Sequence, residues 1–194
     1  MTESTTLVIC PGIHEPQLTD RFLQALKQQE ILLNTPLIFP TQKYPAFSGF
    51  HVLQFLQQEL KETNKNSLVF LSFSAGVVGA IAAALAWQAS GGRVIAFIAL
   101  DGWGVPLLGN FPIHRLSHDE FTHWSSALLG SNGDSFYADP PVDHLDLWRS
   151  PDFVTGWTTK KNVDGQQTRP TTAIAFLTML LQRYLGGFSP NVSG

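Results

Sequence analysis

The sequence predicts an α/β fold, a mostly parallel sheet with helices packed on both of its faces. Two observations carry this. Short apolar runs of strand length recur along the first half of the chain and end at Pro, Gly or Ser, and most are followed by a stretch whose apolar residues fall at helical spacing. A strand followed by a crossover helix returns the chain to the same end of the sheet, so successive strands run parallel and their loops gather at their carboxyl ends.

The run at 7–10 stops at Pro11-Gly12 and reads as a strand buried on both faces. Across 16–29, Leu18, Phe22, Leu23 and Leu26 lie at helical spacing among Gln, Asp, Arg and Lys, which predicts an amphipathic helix. The pattern repeats with a strand at 37–39, ended by Pro40, and a helix marked by Phe50, Leu53, Leu56 and Leu60. Residues 67–73 form the third strand, 75–89 its helix, and 94–100 the fourth strand. The stretch 101–112 is rich in Gly and Pro, and shorter strands are expected at 113–116 and 135–138. A closing helix is expected over 171–185, started by Pro170, striped by Ile174, Leu177, Leu181 and Tyr184, and stopped by Gly186-Gly187. Residues 1–194 read as one domain with a frayed tail at 187–194.

With 44% apolar and 14% charged residues the chain can fill an interior, which excludes a disordered protein. A net charge of −3 and the absence of a Lys/Arg cluster argue against a nucleic-acid partner. Cys10 is the single cysteine, so no internal disulfide and no thiolate metal cage can form. The longest apolar run, 75–87, falls short of the roughly 18–20 residues of a membrane span. The polar start, with Glu3, lacks the pattern of a secretory signal, and a cytoplasmic protein is expected.

Ser72-Phe73-Ser74-Ala75-Gly76 lies between the most apolar strand and an Ala-rich helix, the setting in which a serine is lifted above a sheet on a sharp turn. Small flanking residues are required there because strand and helix backbones nearly touch; Ser72 stands where the G-x-S-x-G pattern has its first Gly, and Gly76 keeps the second. The helix amino terminus beside Ser74 favours negative charge developing on a bound oxygen.

In this motif and in the order of its strands and helices the chain resembles the α/β-hydrolase family, in particular small members without a lid domain. The resemblance implies a three-layer sandwich and a nucleophilic Ser74, with no cofactor. It also implies an oxyanion hole from the backbone N–H groups of Ile13, in the loop Pro11-Gly12-Ile13, and Ala75. In the family's chain order of serine, acid and histidine, the base is expected at His144, in the loop after the last expected strand and ahead of the closing helix. Asp119, just past the strand at 113–116, is the first choice for the acid. Asp101, directly ending the fourth strand, competes with it, and Asp143 and Asp146 rank last as close sequence neighbours of His144.

Other residues have plainer readings. His114, His118 and His123 lie too early or inside a strand and are expected at most to line the pocket, and His14 is a loop residue near its mouth. His114, His118, Asp119, Glu120 and His123 lack the spacing of a metal site, so none is expected. Trp103, Trp124, Trp148 and Trp157 fall in the irregular second half, as pocket wall or as core. The function expected is a serine esterase or thioesterase acting on a small acyl substrate. The alternative is a catalytically degenerate member that binds a ligand or a protein, for which the long stretch 145–170 offers a surface. The oligomeric state is not readable from the sequence.

Overall fold

The computed structural model describes residues 5–29, 35–60, 67–130, 132–162 and 165–186; the expected tail at 187–194 lies outside them. Among the described residues fourteen elements follow one another: β1 (Thr5–Cys10), α1 (Pro16–Lys27), β2 (Leu37–Ile38), α2 (Gly49–Glu59), β3 (Ser67–Phe73), α3 (Ala75–Ala89) and β4 (Arg93–Leu100) come first. They are followed by β5 (Ile113–Ser117), α4 (Glu120–Ala127), β6 (Ser135–Ala138), α5 (Asp146–Arg149), β7 (Thr155–Asn162), β8 (Gly165–Thr172) and α6 (Ala173–Leu185).

All eight strands join one sheet in the order β2-β1-β3-β4-β5-β6-β7-β8. β1 to β6 pair in parallel, and β7 and β8 add antiparallel at one edge. Successive side chains of a strand point to opposite faces, and two apolar clusters result. Leu7, Ile9, Leu71 and Ile98 pack on one face with Phe22 of α1, Trp148 of α5 and Leu177 of α6. Val8, Cys10, Phe70 and Phe97 pack on the other with Val52 of α2 and Ala80 of α3. Helices thus cover both faces in three layers. β3 is buried along its whole length, which explains why its sequence shows no polar alternation.

The six parallel strands and four of the helices lie where the sequence places them, within a few residues. The second half differs. Residues 155–172 form a β-hairpin that extends the sheet, and α4 and α5 occupy stretches read as irregular. The hairpin is rich in Thr, Lys and Gln, so no apolar run marks it. Pro170 belongs to β8, not to the start of α6. β8 is the edge strand, where a residue without an N–H is tolerated. The helix start is set instead by Thr172, whose Oγ1 accepts the N–H of Ala175 at 3.2 Å.

Candidate active site

Ser74 sits between β3 and α3 with φ 53° and ψ −125°. Its N–H donates to Leu100 O at 2.9 Å, which fixes the turn to the end of β4. Such a backbone costs about 1–3 kcal/mol in a residue with a Cβ and persists only where its surroundings enforce it. Those surroundings are visible. A Cβ on Gly76 would stand 2.3 Å from Cys10 O and 2.4 Å from Pro11 O, so only glycine lets α3 start this close to the end of β1. Ser72 is buried, and its hydroxyl donates to Ile98 O at 3.3 Å, so a small polar residue is accommodated where the family pattern has glycine.

Asp101 and Ser74 are the two non-glycine residues with positive φ among those described. Asp101 directly follows β4, is 6% exposed, and donates its N–H to Leu116 O at 2.8 Å. Each of the two residues thus breaks out of a strand while its amide stays bound to the neighbouring one.

His144 lies in the loop between β6 and α5 and bridges them. Its Nδ1 is 2.8 Å from Asp101 Oδ2, and its Nε2 is 2.9 Å from Ser74 Oγ. An ionised carboxylate only accepts, so Nδ1–H donates to Asp101, and the free lone pair on Nε2 accepts the Ser74 hydroxyl proton. The imidazole is stacked on Phe73 at 4.8 Å, Phe73 on Trp148 at 5.1 Å, and Trp148 on Phe22 at 3.8 Å. The last residue of β3 therefore supports the histidine from below.

Asp101, not Asp119, is the carboxylate against His144. Asp119 lies past the end of β5, where its Oδ1 accepts the N–H of Thr122 at 2.6 Å and caps α4. That role is written in the sequence as Asp before a short helical turn, but α4 has too weak an apolar pattern to reveal it. Asp146 pairs instead with Arg149.

His118 is the residue that sequence reasoning passed over. Its backbone N–H donates to Asp101 Oδ1 at 2.9 Å and its Nδ1 to Asp101 Oδ2 at 2.9 Å. Its Nε2 faces Asp119 Oδ2 at 3.3 Å. Burial of Asp101 works against its ionisation, but the hydrogen bonds from His118 and His144 outweigh it and hold the carboxyl below its ordinary value. The bond to Asp101 raises the His118 imidazole above the usual histidine value despite partial burial, with Asp119 and Asp143 adding to it.

The ligand atoms of Asp101, His118 and His144 lie within 4.8 Å of one another and form a group able to hold a metal ion. Both imidazoles aim Nδ1 at the same carboxylate oxygen at hydrogen-bond distance, so that oxygen accepts from two rings. His114 is enclosed by Asp134 O at 2.9 Å and the Tyr184 hydroxyl at 2.8 Å, and His123 packs on Tyr137, so the histidines of 114–123 do not converge. Burial pushes the Cys10 thiol up to about 12, which makes it inert at neutral pH.

A cavity of about 490 Å³ opens at Ser74, walled by Val78, Trp103, Val105 and Phe121 beside His144. Trp103 donates from Nε1 to Ser125 Oγ at 3.2 Å, which joins the loop after β4 to α4. Arg115 is buried beneath that loop and donates to the carbonyls of Gly102, Val105, Leu129 and Gly130. A second groove, of about 510 Å³, starts at Gly12 and Ile13 and runs past Tyr44 and Phe47. Gly12 is pressed against the turn, since a Cβ there would stand 3.0 Å from Ser74 Cβ. Ala75 is the first residue of α3, so its N–H has no acceptor within the helix. Of the other residues noted in the sequence, Trp148 is core, Trp124 is exposed, and Trp157 bonds Asp139 from the hairpin. His14 leans on Phe73 and Trp148 below the site.

No protein-family model matches the chain and no curated protein matches it in sequence. No helix among the described residues is long and apolar enough to cross a membrane.

Proposed function

We propose that the protein is a serine hydrolase of the α/β-hydrolase type, cleaving an ester or thioester through an acyl-enzyme on Ser74. The observation that carries this reading is the continuous relay from Ser74 Oγ to His144 Nε2 at 2.9 Å and from His144 Nδ1 to Asp101 Oδ2 at 2.8 Å. As Ser74 Oγ attacks the acyl carbon, its proton passes to His144 Nε2, and Asp101 stabilises the imidazolium without taking the proton. The oxyanion hole in this reading is the backbone N–H of Ala75, next to Ser74, with that of Ile13, which follows the Gly12 pressed against the turn; one such donor contributes about 3–4 kcal/mol. His144 returns the proton to the leaving alkoxide or thiolate, and water then repeats the sequence on the acyl-enzyme. The apolar wall of Val78, Trp103 and Phe121 suits the acyl group.

A degenerate binding scaffold would have no use for a buried carboxylate on His144 or for a strained Ser74, and both argue for catalysis. The test is labelling of the purified protein by a fluorophosphonate, which reacts rapidly only with an activated serine. Labelling of wild type, lost in Ser74→Ala and His144→Ala, is expected. A folded wild-type protein that does not label would exclude the activated serine.

A further inference from the structure

We propose that His118 is a positioning residue for this site, a second imidazole on Asp101 that fixes the carboxylate against His144. The inference rests on the serine-hydrolase reading. Asp101 receives three hydrogen bonds, and two of them come from His118: its backbone N–H on Oδ1 and its Nδ1–H on Oδ2. The third, from His144, falls on the same Oδ2. A carboxylate gripped at both oxygens by one residue cannot rotate away from His144, and His118 is itself anchored at the end of β5.

The surroundings of His118 also define its charge. One ring nitrogen faces Asp101 and the other faces Asp119 at 3.3 Å, so a neutral ring would turn a lone pair toward one carboxylate. Asp143, on the loop that carries His144, adds a further negative charge. The ring of His144 meets that of His118 edge-on at 6.1 Å, and the Nδ1 atoms of both rings share Asp101 Oδ2.

The test compares the rate of fluorophosphonate labelling in wild type, His118→Asn and His118→Phe, with melting curves to verify folding. Asn can still donate to Asp101 from its side chain; Phe cannot. Phe is expected to lower the rate by about tenfold or more, and Asn to restore most of it. A folded Phe variant that labels at the wild-type rate, or an Asn variant as slow as Phe, would overturn this inference and leave the nucleophile intact. Absence of labelling in the wild type would instead remove the reading on which it rests.

Discussion

The imidazole of His144 lies on the ring of Phe73, 4.8 Å between centroids and 21° between planes, and Phe73 is the residue immediately before Ser74. One strand end thus supplies both the serine and the platform under the base it would use. Phe73 is fully buried between His144 and Trp148. Phe73→Ala removes a buried ring and is expected to cost about 3–5 kcal/mol of stability. Phe73→Leu keeps most of the volume and is expected to cost under about 2 kcal/mol, yet to slow labelling, because an aliphatic chain leaves the imidazole free to tilt. Urea unfolding beside labelling rates separates the two effects. A Leu variant with an unchanged rate would show that the stack serves folding alone.

The acid assignment has a direct test. Asp101→Asn is expected to reduce turnover by about 10⁴-fold, since an amide in place of the carboxylate favours the wrong tautomer of His144. Asp119→Asn is expected to retain activity within a few-fold and most of its stability, because Asn caps a helix as well as Asp and only the charge facing His118 Nε2 is lost. Asp119→Ala is expected to lose about 1 kcal/mol with the cap. Steady-state ester hydrolysis with thermal melts distinguishes the two carboxylates.

The contrast between these aspartates shows what the sequence makes legible. Residues 67–89 announce their structure because a fully buried strand, a small-residue turn and an Ala-rich helix each leave an unmistakable composition. Ser74 follows from that context, and His144 from its place after the last strand the sequence shows and ahead of the closing helix. The choice between Asp101 and Asp119 depends on which strand end lies nearer His144, a tertiary fact that spacing does not encode. The pairing of His118 with Asp101 spans seventeen residues of sequence but one step across the sheet, from β4 to β5. The hairpin of β7 and β8 was hidden because its pairing rests on backbone hydrogen bonds between polar residues, with few apolar side chains to mark a face.

Stability is expected to fall on both sides of neutrality for reasons located in the same cluster. Asp101 has its folded carboxyl value depressed, so its contribution is complete above the unfolded value of about 4 and is lost as pH falls through the folded one. His118 has its folded value raised, so its contribution is complete below the unfolded value of about 6.5 and is lost as pH rises through the folded one. Denaturant titrations across pH, compared between wild type and His118→Asn, are expected to diverge at acid and neutral pH and to converge above the folded titration of His118. A constant difference across the range would show that His118 adds no charge-dependent stability.

Gly76→Ala tests the close approach behind the turn. The added methyl would meet two main-chain oxygens, Cys10 O and Pro11 O, neither of which can move aside as a side chain can. The variant is expected to lose at least about 1–3 kcal/mol, and to lose labelling out of proportion, since the shift falls between the Gly12–Ile13 loop and Ala75. A melting curve together with a labelling rate checks this, and a stable, fully active Ala variant would contradict it.

Two polar residues of α4, Thr122 and Ser126, are buried, whereas its Phe121 and Trp124 are 67% and 62% exposed, as is Leu128 just past its end at 72%. Phe121 walls the cavity above Ser74, and Trp103, 65% exposed, stands beside it through its bond to Ser125. If Ser74 is acylated as proposed, an apolar surface on this side of it favours a substrate whose acyl group is apolar and extends past the cavity mouth. Each methylene that leaves water contributes about 0.8 kcal/mol, so kcat/KM for p-nitrophenyl esters is expected to rise severalfold from acetate to hexanoate. Trp103→Ala and Phe121→Ala are expected to flatten that series while leaving the acetate rate within a few-fold, because neither side chain touches the relay from Ser74 to Asp101. A series that is flat in the wild type would direct the acyl group to the groove at Gly12 and Tyr44, and Tyr44→Ala and Phe47→Ala would then be the variants that change it.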